Sequence, residues 1–182
     1  MTRRATLCLL IGCCCALLAG CSGSSVVPGL GGSDGLGTPG AGTGNPDATL
    51  YYFISGMDTP NFIANEVSVR ETLLGLQIRA NQTLGHDKRE VTRVTSILFN
   101  GPLAEGKSYL VGDYSADGVN ISLSSKPVKG SLSVWDGSAG TLVVDKITDT
   151  HIEGRLNAVL SPSMNSTVTL EASGGRFRVK LP

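Results

Sequence analysis

The feature that most restricts how this chain can fold is a period of two. From residue 49 to residue 182, apolar and polar residues alternate in short runs broken by turn residues. Successive side chains of a strand point to opposite faces, so each run describes a ribbon with one buried and one wet side. Leu74, Leu76, Ile78 and Ala80 alternate with Gly75, Gln77, Arg79 and Asn81, and Val119, Ile121 and Leu123 alternate with Asn120, Ser122 and Ser124. Residues 50–54, 61–69 and 91–99 read as further strands. No window sustains a 3.6-residue period, so little or no helix is expected. About nine to eleven short strands at this spacing predict an all-β domain, an antiparallel β-sandwich or a partly closed β-barrel.

Three connections are expected from turn chemistry. Asp149-Thr150 joins the run through Leu142 and Val144 to the run through Leu156, Ala158 and Leu160. Asp117-Gly118 reads as a hairpin turn. Ser173-Gly174-Gly175 reads as a turn that sets Val168 and Leu170 against Phe177, Val179 and Leu181, with Glu171 facing Arg176. On that reading Arg176, Arg178 and Lys180 form a charged outer edge that discourages further strand pairing.

All five cysteines (Cys8, Cys13, Cys14, Cys15 and Cys21) precede this domain. The domain therefore has no disulfide, no thiolate metal site and no cysteine nucleophile, and its core alone must hold it together. Ahead of Cys21 stand Arg3 and Arg4, then an apolar run from Leu7 to Leu18. That run is shorter than the ~20 apolar residues a spanning helix needs, which favours a cleaved export signal.

The ending Leu18-Ala19-Gly20-Cys21 is similar to the lipobox of bacterial lipoproteins. The resemblance implies that residues 1–20 are a signal peptide removed after Gly20, and that Cys21 is acylated on its sulfur and on its new amine. At ~0.8 kcal/mol per buried methylene, several acyl chains make a permanent membrane anchor. Ser22, rather than an aspartate, follows the cysteine, which in such lipoproteins implies the outer membrane, on its periplasmic face or at the cell surface. Residues 21–48 then comprise the lipidated cysteine and a tether, and residues 49–182 the single folded domain. Nine of the 27 tether residues from Ser22 to Ala48 are glycine and none is basic. Such a composition predicts a disordered linker with an end-to-end distance of roughly 30 Å.

The domain itself resembles a family of bacterial lipoprotein β-domains of unknown function. The resemblance lies in Ile54-Ser55-Gly56 with Phe62-Ile63-Ala64, in Gly106-Lys107-Ser108-Tyr109-Leu110-Val111-Gly112, and in Gly140-Thr141-Leu142, Lys146-Ile147, Ile152-Glu153-Gly154 and Gly175-Arg176-Phe177-Arg178-Val179. It implies fold and address and assigns no activity.

Candidate sites are few. Asp113, Ser115 and Asp117 place oxygens at positions 1, 3 and 5 of a calcium loop with Gly118 at position 6, but position 12 is Ser124 instead of a bidentate glutamate. They are the candidate calcium ligands, and no other cofactor is expected. The run from Gly101 to Ser108 spells a phosphate-binding loop. Pro102 removes an amide from the cradle and a strand-like Tyr109-Leu110-Val111 follows where a helix is required, so no nucleotide is expected. Asp149, His151 and Glu153 share one strand face as a metal triplet or, more simply, as a solvated surface. Tyr51, Tyr52 and Trp135 are the aromatic candidates for stacking on sugars.

The chain carries 15 basic and 15 acidic residues, and loss of Arg3 and Arg4 leaves the mature protein at about −2. Nothing in that balance attracts nucleic acid. No catalytic residue is assigned, since no nucleophile elbow or paired carboxylates are present. The expected function is a membrane-anchored binding or structural module whose ligand-binding residues are unassigned, with an envelope glycan or protein as partner. The competing class is an envelope hydrolase with a site assembled from dispersed Ser, Asp and His.

The anchor is directly testable. Metabolic labelling with a radioactive fatty acid should mark the chain, and Cys21→Ser should abolish the label and release the protein to the soluble phase. Undiminished label on Cys21→Ser would refute acylation there.

Overall fold

The computed structural model describes residues 48–182; the signal, Cys21 and most of the tether lie outside the described residues. The domain is all-β. Ten strands form one sheet: β1 (Thr49–Ser55), β2 (Asn61–Ile63), β3 (Glu66–Thr72), β4 (Gly75–Leu84), β5 (Val91–Phe99), β6 (Ser108–Val111), β7 (Gly118–Pro127), β8 (Ser133–Ile147), β9 (His151–Met164) and β10 (Leu170–Lys180). The one helical element among the described residues is a single 3-10 turn at Asp87–Arg89, in the polar loop between β4 and β5. Neighbours in the sheet run β2-β1-β10-β9-β8-β6-β7-β5-β4-β3, with β7 and β8 also paired.

The two ends of that order, β2 and β3, are consecutive in the chain. The stretch read from sequence as one strand over residues 61–69 is divided at Ala64-Asn65, where its hydrogen bonding changes partner. The Ala64 amide donates to Leu50 O of β1 at 3.0 Å, and the Asn65 amide donates to Asn81 O of β4 at 2.7 Å. The sheet thus curls into an open half-barrel whose end strands are joined by the chain at residues 64–65 but not paired with each other, so the partly closed barrel, rather than the sandwich, is the architecture present.

The period-two pattern decides what fills it. Leu50, Tyr52 and Ile54 of β1 point inward, as do Ile97 and Phe99 of β5, Ile121 and Leu123 of β7, Leu156 and Leu160 of β9, and Phe177 and Val179 of β10. Tyr52 stacks on Phe62 with ring centres 4.9 Å apart, and Phe99 meets Tyr109 edge to face at 5.2 Å. Leu74 is an exception to its own alternation. It sits with Leu73 in the two-residue turn between β3 and β4, 69 % exposed.

Two expected connections are corrected. Asp113–Gly118 does not close a hairpin: β6 and β7 lie parallel, with Leu110 beside Gly118 and Val111 beside Val119. The short β6 is a wedge, parallel to β7 and antiparallel to β8, placed where the long β8 diverges from β7. Ser173-Gly174-Gly175 is not a turn. It is a bulge inside β10, where Gly174 takes φ 61° and its amide donates to Asn157 Oδ1 at 2.9 Å. Glu171 consequently pairs with Val159 and Ser55 instead of Arg176. β10 lies between β1 and β9, so Arg176, Arg178 and Lys180 form no sheet edge. Arg178 reaches Glu153 of β9 at 3.5 Å.

The motif glycine at 154 has a specific tertiary reason. Gly154 is the cross-strand partner of Phe177, whose ring lies over it. A β-carbon there would stand 2.2 Å from Val143 O and 2.4 Å from Phe177 Cζ. Gly154→Ala should destabilise the domain by about 3 kcal/mol, at the upper end of overpacking costs because a backbone atom is one of the obstacles. Equilibrium urea unfolding checks this, and an unchanged midpoint would refute the packing described.

Candidate functional site

The inward side chains pack into a buried core, and a concavity lies on the outer wall of the domain. Alternation creates it. The same strands that send Ile78, Ile97, Ile121 and Trp135 inward send Gln77, Ser96, Leu98, Asn120, Ser122 and Asp136 outward. Register then aligns them. Ser96 of β5, Ser122 of β7 and Asp136 of β8 are direct cross-strand partners, and Gln77, Leu98 and Asn120 form the neighbouring row. With strands ~4.8 Å apart, each row presents groups at about that interval.

Two projections wall the floor into a groove of about 470 Å³. Leu74 comes from the β3–β4 turn, and Tyr114, 84 % exposed, from the loop between β6 and β7. The groove's amides are held by neighbours. Arg70 Nε donates to Gln77 Oε1 at 2.6 Å, and Gln77 Nε2 donates to Ser96 Oγ at 2.8 Å. Asn120 Nδ2 donates to Asn100 Oδ1 at 2.9 Å, and Asn100 Nδ2 donates to Asp113 O at 2.7 Å. Among the described residues, the Ser122 hydroxyl, Asn120 Oδ1 and the Asp136 carboxylate make no hydrogen bond or ion pair. The groove therefore combines pre-oriented polar groups with unspent hydrogen-bonding capacity and one exposed aromatic ring.

The candidate calcium residues lie beside this groove. Asp113 Oδ1 accepts from the Ser115 amide at 2.8 Å and Asp113 Oδ2 from the Ser115 hydroxyl at 2.9 Å, bonds that hold its carboxyl below the usual carboxylate range. Asp117 pairs with Lys107 Nζ at 2.7 Å. This network forms a turn that presents Tyr114, and no group of three or more His, Cys, Asp or Glu is placed to hold a metal among the described residues. Lys107, the lysine of the phosphate-loop pattern, is engaged by Asp117 and lies 4.8 Å from the Tyr109 ring centre. A strand follows it, as expected.

His151 shares a 2.8 Å hydrogen bond with Thr150 Oγ1 through Nδ1, while Glu153 faces Arg178. His151 and His86 are both absent from the groove lining. Of the aromatic candidates, Tyr52 is buried in the core, and so is Trp135, whose Nε1 donates to Val168 O at 2.9 Å. Sequence reasoning missed the groove and its ring, Tyr114, because the floor is spread over four strands whose lateral order no local pattern encodes.

A second polar group lies inside the barrel. Arg93, only 5 % exposed, is the cross-strand partner of Gln82, and its Nη1 donates to Thr59 O at 2.9 Å. Gln82 Nε2 donates to Asn61 O at 3.2 Å. Together they tie the segment leading into β2 to β4 and β5. Burial lowers the guanidinium pKa from its ordinary value, against the influence of Tyr52 and Asp58. Tyr52 Oη and Thr95 Oγ1 are 2.6 Å apart, and burial pushes the phenol well above its usual 10.0 despite that hydrogen bond and the charge of Arg93.

No family model, curated protein or solved structure matches the chain.

The buried phenol carries a pH signature. Its pKa is higher folded than unfolded, so its contribution to stability is whole below about pH 10 and is lost as pH rises beyond that value. Chemical denaturation between pH 9 and pH 11.5 should show falling stability, with a shallower fall in Tyr52→Phe. Equal slopes would count against the assignment.

Proposed function

We propose that this chain is an envelope lipoprotein, held by acylated Cys21 on a flexible tether, whose barrel domain is a binding module and not an enzyme. The observation that carries this reading is the outer-wall groove between Leu74 and Tyr114, with its ordered amides and unpaired Ser122, Asn120 and Asp136. A cleft of this size is within the ~300–1,000 Å³ range of small-ligand sites. Binding is favoured over hydrolysis because Asp136 is the one carboxylate in the lining, and acid–base cleavage of the usual kind needs two. A tether of roughly 30 Å suits a domain that must reach its ligand while anchored.

The test uses the full chain, purified in a detergent without a sugar head group and immobilised on a sensor surface. Envelope fragments from the producing cell should bind saturably. The double variant Tyr114→Ala/Asn120→Ala should weaken this about tenfold or more, since a stacked ring and one or two hydrogen bonds are lost. Thr83→Ala, on the same outer face beyond the groove, should bind as wild type. No saturable binding, or binding indifferent to the double variant, overturns the reading.

A further inference from the structure

We infer that the outer-wall groove takes an uncharged glycan, with Tyr114 as the stacking platform and Ser122, Asn120 and Asp136 as the hydroxyl-binding groups. The inference rests on the binding-module reading above and adds the chemical class of ligand. A sugar ring presents a flat C–H face bordered by hydroxyls, each able both to donate and to accept. It is matched by an aromatic or aliphatic wall beside a floor of amides, hydroxyls and a carboxylate. Here Leu74, Leu98 and Tyr114 supply the apolar part. Asn120 Oδ1 and the Asp136 carboxylate supply acceptors, and the Ser122 hydroxyl acts in either sense.

Three features separate this ligand from others. The lining contains one carboxylate, Asp136, and no lysine or arginine, while Arg70 beside it is engaged by Gln77 and Arg79 stands next to Ser96 at the β4 side, so a sulfated, sialylated or phosphorylated ligand is disfavoured where it meets Asp136. The groove holds a few sugar residues, and its eleven lining residues are about half or less of the ~20–30 that one partner contributes to a standard protein–protein interface. The floor amides are already oriented by Arg70, Ser96 and Asp113, so little side-chain freedom is lost when a ligand arrives.

The test is an array of neutral oligohexoses, with sialylated and sulfated oligosaccharides as charged comparators, probed with the full chain in the same detergent. In parallel, the envelope fragments are deglycosylated with trifluoromethanesulfonic acid, which breaks glycosidic bonds and spares peptide bonds, or digested with protease. Deglycosylation should abolish envelope binding and protease should leave it. A neutral oligosaccharide should bind with about tenfold loss in Tyr114→Ala and again in Asp136→Ala. Both side chains are exposed, so the variants should fold as wild type, and their thermal unfolding confirms it.

Binding that survives deglycosylation, or that prefers the charged comparators, overturns the glycan. If such binding is still weakened by Tyr114→Ala/Asn120→Ala, the groove stands as the site and only the ligand class falls. If the double variant has no effect on binding, both readings fall.

Discussion

The architecture depends on one change of hydrogen-bond partner. At Ala64 the backbone belongs to β1, and at Asn65 it belongs to β4. An open ten-stranded sheet would leave two rows of unpaired amides and carbonyls, the usual template for aggregation. Here the strands at both ends are neighbours in the chain, and the link at residues 64–65 draws them together, although β2 and β3 do not pair with each other. Arg93 and Gln82 reinforce the junction from inside by holding Thr59 and Asn61 carbonyls, which replaces part of their hydration with charge-assisted and amide hydrogen bonds. Burying a guanidinium for this purpose costs desolvation, which is the origin of its lowered pKa.

Closure also decides where function can reside. The inward positions carry large aliphatic and aromatic side chains with Tyr52, Phe62, Phe99 and Tyr109 among them, and they leave the lumen to packing. The outward positions of β4, β5, β7 and β8 form the floor of the groove. The wedge of β6 matters because its link to β7 carries Tyr114 out over that floor.

Much of the fold was legible in the chain. The alternations at residues 76–80 and 119–124 located strands and faces correctly, because burial of one side of a ribbon is a local constraint, while Leu74 fell in the turn. The connection near Asp149-Thr150 was legible for the same reason. Glycine-rich turn chemistry misled at Ser173-Gly174-Gly175, since glycine's left-handed conformation, which Gly174 adopts, serves bulges and turns alike and only the strands on either side distinguish them. Leu73-Leu74, which does form a two-residue turn, carries none of the usual turn residues. The candidate site was less legible. Asp113, Ser115 and Asp117 carry calcium-loop spacing in the chain, and the fold adds partners no spacing gives, tying Asp113 to Ser115 and Asp117 to Lys107.

By itself the sequence determined the all-β class, the inward and outward faces, and a domain stabilised without cysteine, because these follow from period and composition along the chain. The tertiary structure alone decided the order of the strands, closure through residues 64–65, the parallel β6, and the meeting of Gln77, Ser96, Asn120, Ser122 and Asp136 beneath Tyr114. Those outcomes depend on which strands lie side by side, and lateral pairing is a long-range choice among many registers that satisfy the same local alternation.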